Sequence, residues 1–135
     1  MAGIDAQRLV AQEETFARAF GARDLEIARP LYHPEVVYVS PTVRLFGWPA
    51  PIVGVERTLE FIALTIARCE RIAYAVAESS ILDGGRSAFV RIHFDWSTPS
   101  GRLRSNYVVL YRYRAGLIGR QELYYDPSGA LEALA

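Results

Sequence analysis

A single cysteine, Cys69, excludes an intramolecular disulfide framework of the kind that staples small secreted domains. Histidine is nearly as scarce. His33 and His93 stand alone, with no His-x-x-x-His or Cys-x-x-Cys spacing, so no metal-ligation pattern is present and no cofactor is expected. No stretch approaches the ~20 apolar residues of a membrane-spanning helix. The first residues are polar and helix-like and lack the apolar centre of a secretory signal. A cytoplasmic location and no membrane partner are the resulting expectations. Neither sign of charge is in excess: fifteen basic residues offset fifteen acidic ones. No global field would draw in nucleic acid, and no basic cluster interleaved with aromatics marks a surface for it. Nucleic acid is therefore not an expected partner. Repeats, low-complexity segments and interdomain linkers are also missing, which leaves residues 1–135 as one domain, long enough for a single substantial core.

What is present is best read from the last third. Ser87–Ser97 carries Val90, Ile92, Phe94 and Trp96 on one side and Arg91, His93 and Asp95 on the other. After a turn at Pro99-Ser100-Gly101, Arg102–Arg114 alternates Tyr107, Val109, Tyr111 and Tyr113 with Val108, Leu110 and Arg112. Beyond Ala115-Gly116, a third run, Leu117–Tyr125, ends at Asp126-Pro127-Ser128-Gly129. Period-two alternation between Gly and Pro turns predicts an antiparallel meander with one buried face. Arg71–Leu82 reads as a further strand, leading in through Asp83-Gly84-Gly85.

Upstream the period changes. Asp5–Ala22 is a predicted helix with Leu9, Phe16, Ala17 and Phe20 on one side and Arg8, Ala11, Thr15, Arg18 and Ala19 away from it, closed by Gly21. Asp24 is suited to cap a second, short helix that His33-Pro34 breaks. Val36–Ser40 reads as a short strand and Pro41–Gly54 as a loop. Val55–Glu70 reads as a third helix with Val55, Leu59, Ile62, Ile66 and Cys69 on one face. Phe61 and Leu64 lie off that face and predict a second contact, with the loop or with a partner. Helices gathered early and strands gathered late argue an α+β domain with helices on one face of an antiparallel sheet.

The layout resembles a known superfamily. Phe16–Leu25 (FARAFGARDL), Leu31–Tyr38 (LYHPEVVY), Val53-Gly54 opening a helix, and Gly116-Leu117-Ile118 separated by six residues from Tyr125-Asp126 are similar to the SnoaL-like members of the nuclear transport factor two-like superfamily. Polyketide cyclases, ketosteroid isomerases and limonene epoxide hydrolases share this arrangement. The resemblance spans the chain and implies a single SnoaL-like domain with a cystatin-like cone. In it, three N-terminal helices pack on a curved antiparallel sheet around a pocket, and a homodimer forms through the outer sheet face. The catalytic acids of the family are not matched. Where steroid isomerases keep a tyrosine and two aspartates, this chain has Phe16, Ser40 and about Val109; where epoxide hydrolases keep a final-strand acid, it has Leu123. Their Tyr-x-Asn is approached by Tyr38-x-Ser40, and their Arg-x-Asp falls on Arg91-Ile92-His93 or, in a competing register, Ile92-His93-Phe94. Facing Arg91 and His93 inward would turn Val90, Ile92, Phe94 and Trp96 outward. Burial of such side chains is worth about 1.5–3 kcal/mol each, so the apolar-in register is expected.

With that register, the pocket is expected to be lined by Phe16 and Phe20 from the first helix, Tyr38 and Ser40 from the first strand, and Trp48 as a lid from the loop. Ile92, Phe94, Tyr107, Val109, Leu123 and Tyr125 complete it from the meander. Buried phenols need hydrogen-bond partners, and the predicted inner face offers few acceptors, which suggests water or a ligand in that role. Trp48 could equally be a loop anchor. The candidate catalytic residues are Glu13, in the middle of the apolar helix stripe, and Arg91 and His93. If Glu13 is enclosed, its pKa rises and suits acid–base work. If the helix end overhangs the sheet, which is the plainer expectation, Glu13 reaches water. Three functions follow: a pocket domain binding a small apolar or aromatic molecule; an isomerase, cyclase or hydrolase acting on such a ligand; or a non-catalytic dimeric accessory domain with a filled core.

Overall fold

A computed structural model describes residues 3–99 and 101–126; Ser100 and the Pro127–Gly129 part of the expected terminal turn lie outside them. Helix α1 spans Ala6–Ala22 and is capped by Asp5, whose carboxylate accepts a 2.8 Å hydrogen bond from the Arg8 amide. It buries Leu9, Gln12, Glu13, Phe16, Ala19 and Phe20, while Ala17 is exposed, so the inward face is turned slightly from the expected one. Gly21 does not close it. Arg23 occupies the left-handed position instead (φ 54°). Its guanidinium donates to the carbonyls of Ile66 and Glu70 at 3.0 Å each, contacts that offset the unfavourable backbone conformation.

Asp24 accepts from the Glu26 amide and opens a 3₁₀ segment, Leu25–Leu31, with Pro30 inside it. Strand β1 is Tyr32–Val39, longer than expected because His33, preceding Pro34, is already extended. His33 thus sits in a strand, its Nδ1 accepting from the Glu35 amide at 3.0 Å. The expected loop contains two regular pieces. Ser40 accepts from the Thr42 amide and caps helix α2, Pro41–Leu45, with proline in the first turn; strand β2, Ile52–Val53, follows.

Helix α3 is Val55–Ala67, and four strands complete the domain: β3 Arg71–Leu82, β4 Ser87–Thr98, β5 Gly101–Arg114 and β6 Leu117–Tyr125. The second contact predicted for α3 is with the loop. Phe61 is fully buried, with ring centroids 5.9 Å from Tyr38, 5.7 Å from Phe46 and 5.1 Å from Trp48.

The sheet runs β2-β1-β6-β5-β4-β3. It is mixed rather than antiparallel, because β1 pairs parallel with β6 while every other pair is antiparallel. Those two strands come from opposite ends of the fold and are not joined by a hairpin, so nothing local forces them antiparallel. The phase of β4 is the one burial favours. Val90 pairs with Val109 and Ile92 with Tyr107; Val90, Ile92, Phe94 and Trp96 are buried, while Arg91 and His93 are exposed. The N-terminus docks where β3 turns into β4. Ile4 N–H donates to the Gly85 carbonyl at 2.9 Å, and a Cβ on Gly85 (φ +91°) would lie 2.3 Å from the Ile4 oxygen. Among the described residues, no helix is long and apolar enough to cross a membrane.

Candidate functional site

Between the helices and the sheet lies a cavity of about 30 Å³, room for roughly one water molecule. Helix α1 contributes Phe16 and Phe20 to its wall, and β1 contributes Tyr38. Strand β5 adds Tyr107, Val109 and Tyr111, and β6 adds Gln121, Leu123 and Tyr125. Tyr74 of β3, Trp96 of β4, Thr42 of α2, and Ile62 and Thr65 of α3 close it. Most of the residues expected in a pocket therefore meet here. Ile92 and Phe94 are buried but do not reach the void; Phe94 stands behind Tyr107, Tyr125 and Trp96 with ring centroids 5.3–5.9 Å away. Ser40 is buried beside Thr42, their hydroxyls 2.8 Å apart. Trp48 stands outside the cavity. Its ring is held edge-on to Phe61 with the Arg57 guanidinium 4.5 Å from its centroid, which makes it the anchor of its loop and not a lid.

The protein itself supplies acceptors for most of the buried phenols, contrary to the expectation from the sequence. Tyr32 donates to Gln121 Oε1 at 2.6 Å and Tyr113 to Gln12 Oε1 at 2.8 Å. Tyr125 is pushed up to about 12 by burial, with the hydroxyls of Ser40 and Thr42 acting in the opposite direction. Tyr74 and Tyr111 both donate to Glu13, Tyr111 at 2.9 Å to Oε2 and Tyr74 to Oε1. Gln12 Nε2 donates to the same Oε2 at 3.0 Å.

Glu13 does not overhang the sheet. It is 4 % exposed, enclosed because Tyr74 on β3 and Tyr111 on β5 reach up beneath α1. Burial raises its pKa above the ordinary 4.5, opposed by the hydrogen bonds from Gln12, Tyr74 and Tyr111. The two phenols that hold the carboxyl also line the cavity, and they are pushed up by burial first and by the Glu13 charge second, so they act as neutral donors. On its other side Glu13 borders a shallow groove of about 260 Å³ between α1 and β3, walled by Leu9, Val10, Ala17, Tyr74 and Val76. A carboxyl with an elevated pKa thus stands between an aromatic interior and an apolar surface groove.

The structure does not bring Arg91 and His93 to Glu13. Both lie on the outer sheet face, where Arg91 Nε is 3.1 Å from Glu78 Oε1. Cys69 is buried, its thiol pushed up to about 11 by burial and donating weakly to the Thr65 carbonyl at 3.5 Å, as suits a core residue. The sequence reading of the site missed several wall residues, Tyr74 and Trp96 among them. Tyr74 was legible as part of the alternation Ile72-x-Tyr74-x-Val76, and Trp96 shared the inward phase of Phe94. Gln12, which lies outside that wall but is hydrogen-bonded to Glu13 and Tyr113, gave no such signal.

No curated protein sequence matches the chain significantly. Among solved structures, TsrD from Streptomyces laurentii is similar over 98 % of both chains, with a TM-score of 0.78 and 18 % identity. A steroid delta-isomerase from Pseudomonas aeruginosa is similar over 99 % of this chain and 90 % of its own (TM-score 0.68, 21 % identity). A protein of ketosteroid isomerase-like fold from Catenulispora acidiphila, in complex with trimethylamine, is similar over 90 % of both chains (TM-score 0.72, 18 % identity). The model of the SnoaL-like domain matches residues 13–121. The helix-covered mixed sheet is accordingly the nuclear transport factor two-like fold, and the chain belongs to the SnoaL-like domain family.

Proposed function

We propose that the domain binds a small apolar or aromatic molecule in its interior. The observation that carries this reading is the cavity itself, enclosed by rings from α1 and five strands, with the Glu13 carboxyl held behind Tyr74 and Tyr111 of its wall. At about 30 Å³ it holds far less than the roughly 150 Å³ that benzene occupies in an apolar cavity, so binding requires wall side chains to move. Titration with planar apolar compounds should therefore give saturable binding together with a change in near-ultraviolet circular dichroism from the wall aromatics. Val109→Leu, which adds about one methylene group to the wall, should weaken binding at least tenfold, whereas Trp48→Ala should leave it unchanged. No binding by any compound would favour the accessory domain with a filled core.

An isomerase, cyclase or hydrolase acting on such a ligand is the second reading. It is favoured by the raised pKa of Glu13 and by the two phenols through which that carboxyl addresses the cavity. In this reading Glu13 is the acid–base group, and Arg91 and His93, on the opposite sheet face, take no part. That outer face also supports a homodimer. It exposes Val53 and Tyr124 beside the half-buried Val37, Val39, Phe89, Val108 and Leu110. Sedimentation equilibrium should return twice the chain mass, and a monomer at every concentration would remove this part of the proposal.

A further inference from the structure

Among the described residues, one buried side-chain polar atom lacks a hydrogen-bond partner, the indole Nε1 of Trp96. Trp96 is 6 % exposed, lies between Phe20 and Phe94 with centroids 6.5 and 5.5 Å away, and forms part of the cavity wall. A buried donor without an acceptor is disfavoured and seldom kept. The rest of the wall shows that this chain can satisfy such groups. Tyr74 and Tyr111 donate to Glu13, Gln121 accepts from Tyr32, and Thr65 Oγ1 donates to the Phe61 carbonyl at 3.1 Å. A phenylalanine would supply the flat surface at position 96 with nothing left unpaired. An anionic acceptor is disfavoured, because the described residues of the wall include no cationic side chain to pair with it.

We propose that Trp96 is the specificity-determining donor of the cavity, selecting flat ligands that carry a neutral acceptor, a carbonyl or ether oxygen, over hydrocarbons of the same shape. This rests on the interior being a ligand site, and the test separates the two. Acetophenone and α-methylstyrene have nearly the same outline and differ in the acceptor, and comparing their affinity ratio between wild type and Trp96→Phe cancels their different hydrophobicity. The expected result is a loss of about tenfold for acetophenone relative to α-methylstyrene in Trp96→Phe. Equal factors for both compounds, or binding of the hydrocarbon with none of the ketone, would overturn the role of Trp96 and leave the pocket intact. Failure of both to bind wild type would overturn the pocket and this inference with it. A readout independent of the fold of that variant is the indole N–H resonance of Trp96 in a Trp48→Phe background. It should move downfield with acetophenone and not with α-methylstyrene, and identical responses count against the proposal.

Discussion

Glu13→Ala should destabilise the domain by about 3–5 kcal/mol, because it strands the buried Tyr111 phenol, the half-buried Tyr74 phenol and the Gln12 amide at once. Glu13→Gln preserves shape and some of the hydrogen bonding and should cost less, and its cost should depend on pH. Burial holds the folded-state pKa above the ordinary 4.5. Between those two values the native state binds more protons than the unfolded chain, so stability falls as pH rises through the window. The contribution of the protonated carboxyl is complete below the unfolded value and is lost as the folded group ionises. Glutamine has no such dependence. The stability of wild type relative to Glu13→Gln should therefore decline from pH 4.5 upward, by at most about 1.4 kcal/mol per pH unit. Urea unfolding of both proteins between pH 4.5 and 8 measures this. A difference that stays flat would mean that the carboxyl is solvated after all.

Phe61→Ala should be comparably severe, about 3–5 kcal/mol. Phe61 has no exposed surface and touches the rings of Tyr38, Phe46 and Trp48, so its removal empties the junction between α3, β1 and the loop that crosses it. The loss should be visible in two ways: a lower denaturation midpoint, and greater quenching of Trp48 fluorescence by acrylamide as the loop loses its anchor. Leu64→Ala, on the half-buried flank of the same helix, should cost less than half as much. Equal costs would show that Phe61 contributes area alone and does not hold the loop.

The elements that sequence reading recovered are those whose evidence is local. The meander was legible because each strand alternates within itself, and the inward phase of Val90 to Trp96 followed from comparing four apolar side chains with two polar ones. Asp24 announced a helix start through its own side chain. Ser40-Pro41 carried the same signal for α2, but the density of proline and glycine after it argued for loop. What could not be read depends on distant residues. The enclosure of Glu13 is made by Tyr74 and Tyr111, on strands 61 and 98 residues away, and nothing in α1 indicates that two phenols will stand beneath it. The role of Trp48 was undecidable for the same reason, since a ring in a proline-rich loop can cover a cavity or pack on a helix, and Phe61 selects the second. The parallel pairing of β1 and β6 has no hairpin to announce it.

That pairing also orders events during synthesis. Tyr38 lies beside Gln121, a partner made 83 residues later, so β1 leaves the ribosome with one edge open and must wait for nearly the whole chain before the sheet can close. Contacts of such separation carry a large loop-closure cost and slow folding. The meander β3–β6, built from neighbouring hairpins, can assemble first and offer β6 as the template. The wall of the cavity is then completed only when the oldest strand joins the youngest. A chain stopped short of β6 would present β1 as an unpaired edge exposed to other chains.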